Sequence, residues 1–243
     1  MQTLKDSWFM IRGDYRGDKL RILFQLLFSI VFMGYLGGLT GMVINDSIGN
    51  HERKVIADYL LLALTPLLGF TYCRQHAMKY WSGDTYTKML AYHSSLPIPA
   101  SVILCKRKLQ SLTSFGLNGV LFFGLVYAIS NHLRDDLSPL GYIVFALTWI
   151  GFGFLLTGLY IFIEFSCSGR TYFWFIMLMM LLAFGTAMLV KWAGGNLLLY
   201  SFACSKEWGL LSPLMWGTLL AGTLSVQLFS KWTIHKLKSR DLA

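Results

Sequence analysis

The strongest constraint on this chain is a series of long apolar runs at residues 22–44, 55–73, 109–133, 137–163, 171–190 and 208–230, with the charges gathered mostly between them. About 20 apolar residues suffice for a helix to cross a hydrocarbon core roughly 30 Å thick. The run at 55–73 is the weakest of the six, with Asp58 near its start and Pro66 near its middle. In lipid every backbone polar group needs an internal partner, which predicts helices. Spanning β-strands would instead alternate in segments of about 10 residues, and no such pattern is visible. Composition agrees: 55% of residues are hydrophobic and 14% charged, too few charges for the surface of a soluble domain of 243 residues. The expected fold is all-α, a single polytopic membrane domain with six transmembrane helices.

The formal net charge of +9 invites a nucleic-acid reading, but its distribution argues otherwise. With six spans both termini share a side, and that side carries 16 of the 21 lysines and arginines. The opposite side holds only Arg53, Lys54, Arg134, Lys191 and Lys206. Such asymmetry fixes orientation in a membrane, so both termini are expected in the cytoplasm of a multi-pass cell-membrane protein. No nucleic-acid partner is expected, since no aromatic residues interleave with the basic ones.

Residues 1–19 place Leu4, Trp8, Ile11 and Tyr15 at spacings of four, three and four, with basic residues alongside. This periodicity predicts an amphipathic helix along the cytoplasmic interface, broken or bent at Gly13 and Gly17. The apolar run that follows is longer than a signal-peptide core and has no small-residue cleavage site. Trp8, Trp81, Trp174, Trp192, Trp208 and Trp232 fall near expected membrane edges, whereas Trp149 and Trp216 lie deeper, as packing residues would. Gly34, Gly37, Gly38 and Gly41, and Gly151, Gly153 and Gly158, are small residues of the kind that let helices approach closely. Asn118 and Gln227 are suited to interhelical hydrogen bonds.

Two connections stand apart. Residues 196–204 are too short to cross and too apolar for a free loop, which predicts a re-entrant or interfacial piece before the last span. The segment 74–108 is by far the longest internal loop. Within it, Ser82 or Asp84 suits a helix N-cap, and residues 85–95 make two to three turns with Tyr86, Met89, Leu90 and His93 near one another. Pro97 and Pro99 end that helix. Lys106, Arg107 and Lys108 then stand at the mouth of the third span.

With its N-terminal interfacial helix, six spans, long first cytoplasmic loop and the run YHSSLPIPASVILCKRKLQ, the whole chain resembles the membrane subunit of an ABC-2-type transporter. In that family a Leu-Pro pair closes a coupling helix and a lysine follows as the next span begins. The resemblance implies an elbow helix at 1–19 and a coupling helix at 85–96 that docks on a separate ATPase. Tyr86, Lys88, Met89, Leu90, His93, Leu96 and Pro97 would make that contact, with Ser168 and Arg170 of the tight second loop as a lesser one. The implied partners are ABC ATPase subunits and a second transmembrane subunit, identical or different, within the lipid bilayer.

The chain has no phosphate loop: GxxxxGK[ST] is absent and no Gly-Lys pair occurs, so ATP and magnesium are expected on the partner and no cofactor on this chain. No HExxH, CxxC or GxSxG appears, and catalytic, cofactor-binding and metal residues are expected to be none. The competing reading is an ion-coupled carrier or channel-like protein without an ATPase. Such carriers place ionisable groups near the midplane. Here only Glu164 and Asp58 lie within or near spans, both close to ends, with Glu164 expected beside Arg170. The expected function is a permease subunit of an ATP-driven exporter moving an amphipathic or hydrophobic substrate, such as a peptide, a lipid-linked molecule or a drug-like compound.

Overall fold

The computed structural model describes residues 2–16, 19–49, 54–70 and 98–238, and these are all-helical, with no strand among them. The elements are α1 (Gln2–Arg16), α2 (Lys19–Gly49), α3 (Val55–Leu64) running into a 3-10 turn (Thr65–Gly69), α4 (Ala100–Ile129), α5 (Asn131–Asp136), α6 (Pro139–Ser166), α7 (Gly169–Trp192), α8 (Leu197–Trp208), a second 3-10 turn (Gly209–Leu211) and α9 (Pro213–Lys238).

Among the described residues, four helices are long and apolar enough to cross a bilayer: Leu23–Gly49 within α2, and α4, α6 and α7. In length and composition such helices are compatible with a multi-pass membrane protein. The other two expected spans take different forms. Val55–Gly69 is a shorter apolar element whose α-helical hydrogen bonding gives way to 3-10 beside Pro66, because proline supplies no backbone donor. Leu197–Leu211 and Pro213–Leu237 form a pair bent by 87°. At 12 residues, α8 is about 18 Å long, too short to cross alone. The bend falls at Gly209, whose φ of 48° favours a residue without a Cβ, and Pro213 starts the next helix.

The third run begins nine residues earlier than its apolar stretch suggests. Pro99 is the N-cap of α4, and Lys106, Arg107 and Lys108 are helical residues two turns inside it. Helix α1 also runs unbroken through Gly13. Its buried edge is Ser7 and Ile11, packed on the start of α4, where the Ser7 hydroxyl donates to the Val102 carbonyl at 3.0 Å. Leu4, Trp8 and Phe9 remain exposed, an apolar face suited to a lipid surface.

Packing follows the glycines. Helices α2 and α4 run parallel, with a Cβ on Gly37 falling 2.8 Å from the Phe122 carbonyl and one on Gly41 falling 3.2 Å from the Val126 Cα. Gly34 and Gly38 meet only side chains, at 3.6 and 3.5 Å. The tight seam is therefore Gly37-xxx-Gly41, not the equally spaced Gly34 and Gly38. The most extensive helix pair is α6 with α9, where Gly151 and Gly158 face Thr218 and Ser225 and Gly222 faces the Gly151 carbonyl. Close backbone approach maximises dispersion contact where lipid removes the hydrophobic drive. Helix α7 is mostly exposed and rests chiefly on α3, with Tyr59 edge-on to Phe184. Trp149 is buried and donates to the Ser201 hydroxyl, whereas Trp216 is exposed in the first turn of α9 and donates to the Leu210 carbonyl, contrary to a deep packing role. Gln227 is exposed as well.

Helix α1 and the last turns of α9 lie at the same end of the molecule. There α1 meets the start of α4, and Ile234 and Leu237 of α9 pack on Leu104, Ile161 and Phe165. Lys236 stands over the Phe162 ring at 5.3 Å. The opposite end carries the Lys54–Asp46 and Lys206–Asp136 ion pairs.

Candidate functional site

Three polar features lie among the apolar helices. The first is an ion pair between α4 and α6 at the end where α1 and the last turns of α9 lie. Arg107 Nε donates to Glu164 Oε1 at 3.1 Å and to Oε2 at 3.0 Å, and the two side chains are only 15% and 8% exposed. Arg107 stands eight residues past the N-cap of α4, and Glu164 lies in the last turn of α6. Charge-assisted hydrogen bonds are strong, and the attraction within the pair offsets part of the desolvation cost of each member. Glu164 therefore has Arg107 as its partner, not Arg170. Arg170 is exposed in the first turn of α7, across a two-residue link. In that link Ser168 caps α7, and its hydroxyl lies 3.1 Å from that of Thr171.

The second feature is at the other end. Asp58, buried in the first turn of α3, accepts from the backbone amides of Leu197 at 3.0 Å and Leu198 at 2.8 Å. Asn196 Oδ1 accepts from Leu199 at 2.8 Å. Three of the four amides that a helix N-terminus leaves without internal partners are thus satisfied, and the carboxylate faces the positive end of the α8 dipole. Asp58 anchors the short helix α8 to α3 and so fixes the piece before the last long helix.

The third is a cavity of about 240 Å³ between α2, α4 and the end of the 3-10 turn, lined by Gln25, Leu26, Ser29, Phe70, Thr113, Ser114, Leu117 and Asn118. The spacings 25, 26, 29 and 113, 114, 117, 118 put each group on one helical face. Because α2 and α4 are parallel, the two faces meet at one level. Asn118 Nδ2 donates to the carbonyls of Leu68 at 2.9 Å and Phe70 at 3.3 Å, groups freed where the helix breaks.

Of the residues expected to contact a partner, Tyr86, Lys88, Met89, Leu90, His93, Leu96 and Pro97 lie outside the described residues. Glu164, Ser168 and Arg170 occupy one end of the molecule and Asp58 the other. The sequence reading passed over Gln25, Ser29, Thr113 and Ser114. Their signal was the four- and five-residue spacing of polar groups inside apolar runs. Among the described residues no group of three His, Cys, Asp or Glu side chains converges to hold a metal.

Comparison with protein-family models, curated proteins and solved structures finds no match. The functional reading therefore rests on the chain's own chemistry.

Proposed function

We propose that this chain is the permease subunit of an ATP-driven exporter, resembling the ABC-2 type, with the ATPase on separate subunits and a second transmembrane subunit completing the pathway. In this reading the chain crosses the cell membrane six times. Val55–Gly69 with the residues after it forms the second crossing, α8 is the re-entrant piece, and α1 is the elbow. Both termini are cytoplasmic, and the cargo is amphipathic or hydrophobic.

The observation that carries the reading is the Arg107–Glu164 pair. Arg107 lies two turns inside α4, the helix that starts after Pro99 within the expected loop 74–108, and Glu164 lies just before the Cys167–Ser168 link. In this reading the helices adjoining the two expected ATPase contacts, α4 and α6, are linked by one largely buried ionic contact. A push on the long loop would pass through Pro99 into α4, and through the ion pair into α6 and the α9 packed on it. Helices transmit such displacement because packed interiors are stiff. Helix α1, docked on the same start of α4, would move with it.

The test is co-expression with candidate ATPases, pull-down through this chain, and the same experiment with Leu90→Asp and Leu96→Asp. The proposal expects an ATPase to co-purify with the parent and be lost from both variants. Variants that still co-purify and transport normally would remove the coupling helix from the account.

A further inference from the structure

Helices α2, α4, α7 and α9 all turn apolar side chains outward, and lipid can cover such faces unless a polar group stands among them. On three of them the exposed polar groups are provided for. The hydroxyls of Thr113 on α4, Thr186 on α7 and Thr223 on α9 donate to carbonyls of their own helices, those of Gln110, Ala183 and Leu220, at 2.9, 2.8 and 2.9 Å. Gln227 on α9 is exposed, but it stands four residues before Lys231, about 6 Å along the helix, where a carboxamide reaches the interface. Helix α2 differs. Tyr35 is 65% exposed, and its hydroxyl makes no hydrogen bond among the described residues. It lies one residue from the middle of Leu23–Gly49, about 20 Å from either end, too deep to extend its hydroxyl to water. A hydroxyl held in hydrocarbon without a partner is penalised.

We propose that this face of α2 seats the α2 of a second copy of this chain, with the two Tyr35 hydroxyls hydrogen-bonded to each other across a two-fold axis along the membrane normal. Copies of one chain insert in the same orientation, so such an axis sets each residue near its own counterpart at the same depth. A hydroxyl both donates and accepts, so one Tyr35 donates, the other accepts, and each gains the partner that lipid tails lack. A different helix would need a polar group at this one level, whereas a second copy brings it by symmetry. The rest of the face suits self-pairing. Val31, Leu39 and Met42 are exposed beside Tyr35, on the side of α2 away from the Gly37-xxx-Gly41 seam, and none carries a charge that its own copy would repel. Gly34 and Gly38 at its edge touch only side-chain tips of α4, which leaves room for a neighbouring helix to come close. The inference rests on the permease reading for the membrane setting and the second transmembrane subunit, and it identifies that subunit as the same chain.

The experiment uses the full chain in liposomes, with donor- and acceptor-labelled copies mixed and energy transfer followed as added lipid dilutes the protein. The parent is expected to associate, and Tyr35→Phe to raise its dissociation constant about threefold to fivefold, the loss of one neutral hydrogen bond between helices in lipid. The position is exposed, so the change does not put folding at risk. With the four native cysteines replaced, Val31→Cys, Leu39→Cys and Met42→Cys are then oxidised mildly in native membranes. These are expected to yield self-crosslinked dimers, while Leu181→Cys of α7 and Leu224→Cys of α9 stay single. A parent that remains monomeric at every dilution, an unchanged dissociation constant for Tyr35→Phe, or equal crosslinking from α7 or α9 would each overturn the proposal. So would crosslinking of the α2 positions to a different membrane protein with no self-crosslink. Recovery of an ATPase is scored on the same membranes. An ATPase without self-crosslinks removes the α2 pairing alone, whereas self-crosslinks without any ATPase uphold the pairing and count against the permease.

Discussion

Replacing Glu164 by glutamine keeps the shape of the side chain and removes its charge, leaving the Arg107 guanidinium enclosed beside a neutral amide. At a separation of about 3 Å and an effective dielectric constant of about 20, the lost attraction is roughly 5 kcal/mol. Because desolvation is not recovered when one member stays charged, removing one partner of such a pair costs about 3–5 kcal/mol. At about 2–4 °C per kcal/mol for a chain of this size, the midpoint of thermal unfolding should fall by about 6–20 °C. Tryptophan fluorescence in nanodiscs is a suitable readout. The decisive comparison is the cycle of Glu164→Met, Arg107→Met and the double variant. Either single change removes the opposite charge of the pair, whereas the double change leaves an apolar contact, so it should lie within about 1–2 kcal/mol of the parent. The double variant should therefore fold and yet lose the ionic link between α4 and α6. If the single changes cost less than about 1 kcal/mol and add in the double, the pair is an incidental surface contact and the force path through it is wrong.

Three further outcomes follow from the packing and the caps. Asp58→Ala should free the Leu197 and Leu198 amides, lose about 1.5–3 kcal/mol for each charge-assisted bond, and speed hydrogen exchange at the start of α8, with Asp58→Asn intermediate. Gly37→Ala should cost about 1–3 kcal/mol, because its Cβ meets the backbone of α4 at 2.8 Å, while Gly34→Ala, 3.6 Å from the Leu125 side chain, should be close to neutral in the same unfolding assay. In intact cells a membrane-impermeant maleimide should modify Glu207→Cys and not Lys236→Cys, with the native cysteines replaced; labelling of Lys236→Cys alone would invert the assigned orientation.

The apolar runs made α2, α4, α6 and α7 legible, because a bilayer demands length and hydrophobicity and both can be counted. Boundaries were less so. Lys106, Arg107 and Lys108 end an apolar count, yet nothing about them breaks a helix, and Pro99 is the stop that the backbone obeys. Pro66 showed where the second run was weak, but not that it would become a 3-10 turn whose free carbonyls Asn118 serves. Glu164 was assigned to Arg170 because the two are six residues apart. Its partner lies 57 residues away, and only the crossing of α4 and α6 brings it near. The cavity was hidden for the same reason: Gln25 and Ser29 are ordinary polar interruptions until the parallel register of α2 and α4 sets them against Thr113, Ser114 and Asn118. Local chemistry reads from sequence, whereas partnership across helices needs the register.

The central claim is that an ATPase drives this chain through the end where both termini lie. The most direct measurement is ATP hydrolysis by the complex co-purified through this chain and reconstituted in nanodiscs, with and without the Arg107→Met/Glu164→Met pair. The account predicts that an ATPase co-purifies with both forms, and that amphiphilic substrate stimulates hydrolysis in the parent but not in the double variant. Recovery of no ATPase from any co-expression, with substrate movement that follows an ion gradient in the absence of ATP, would contradict it.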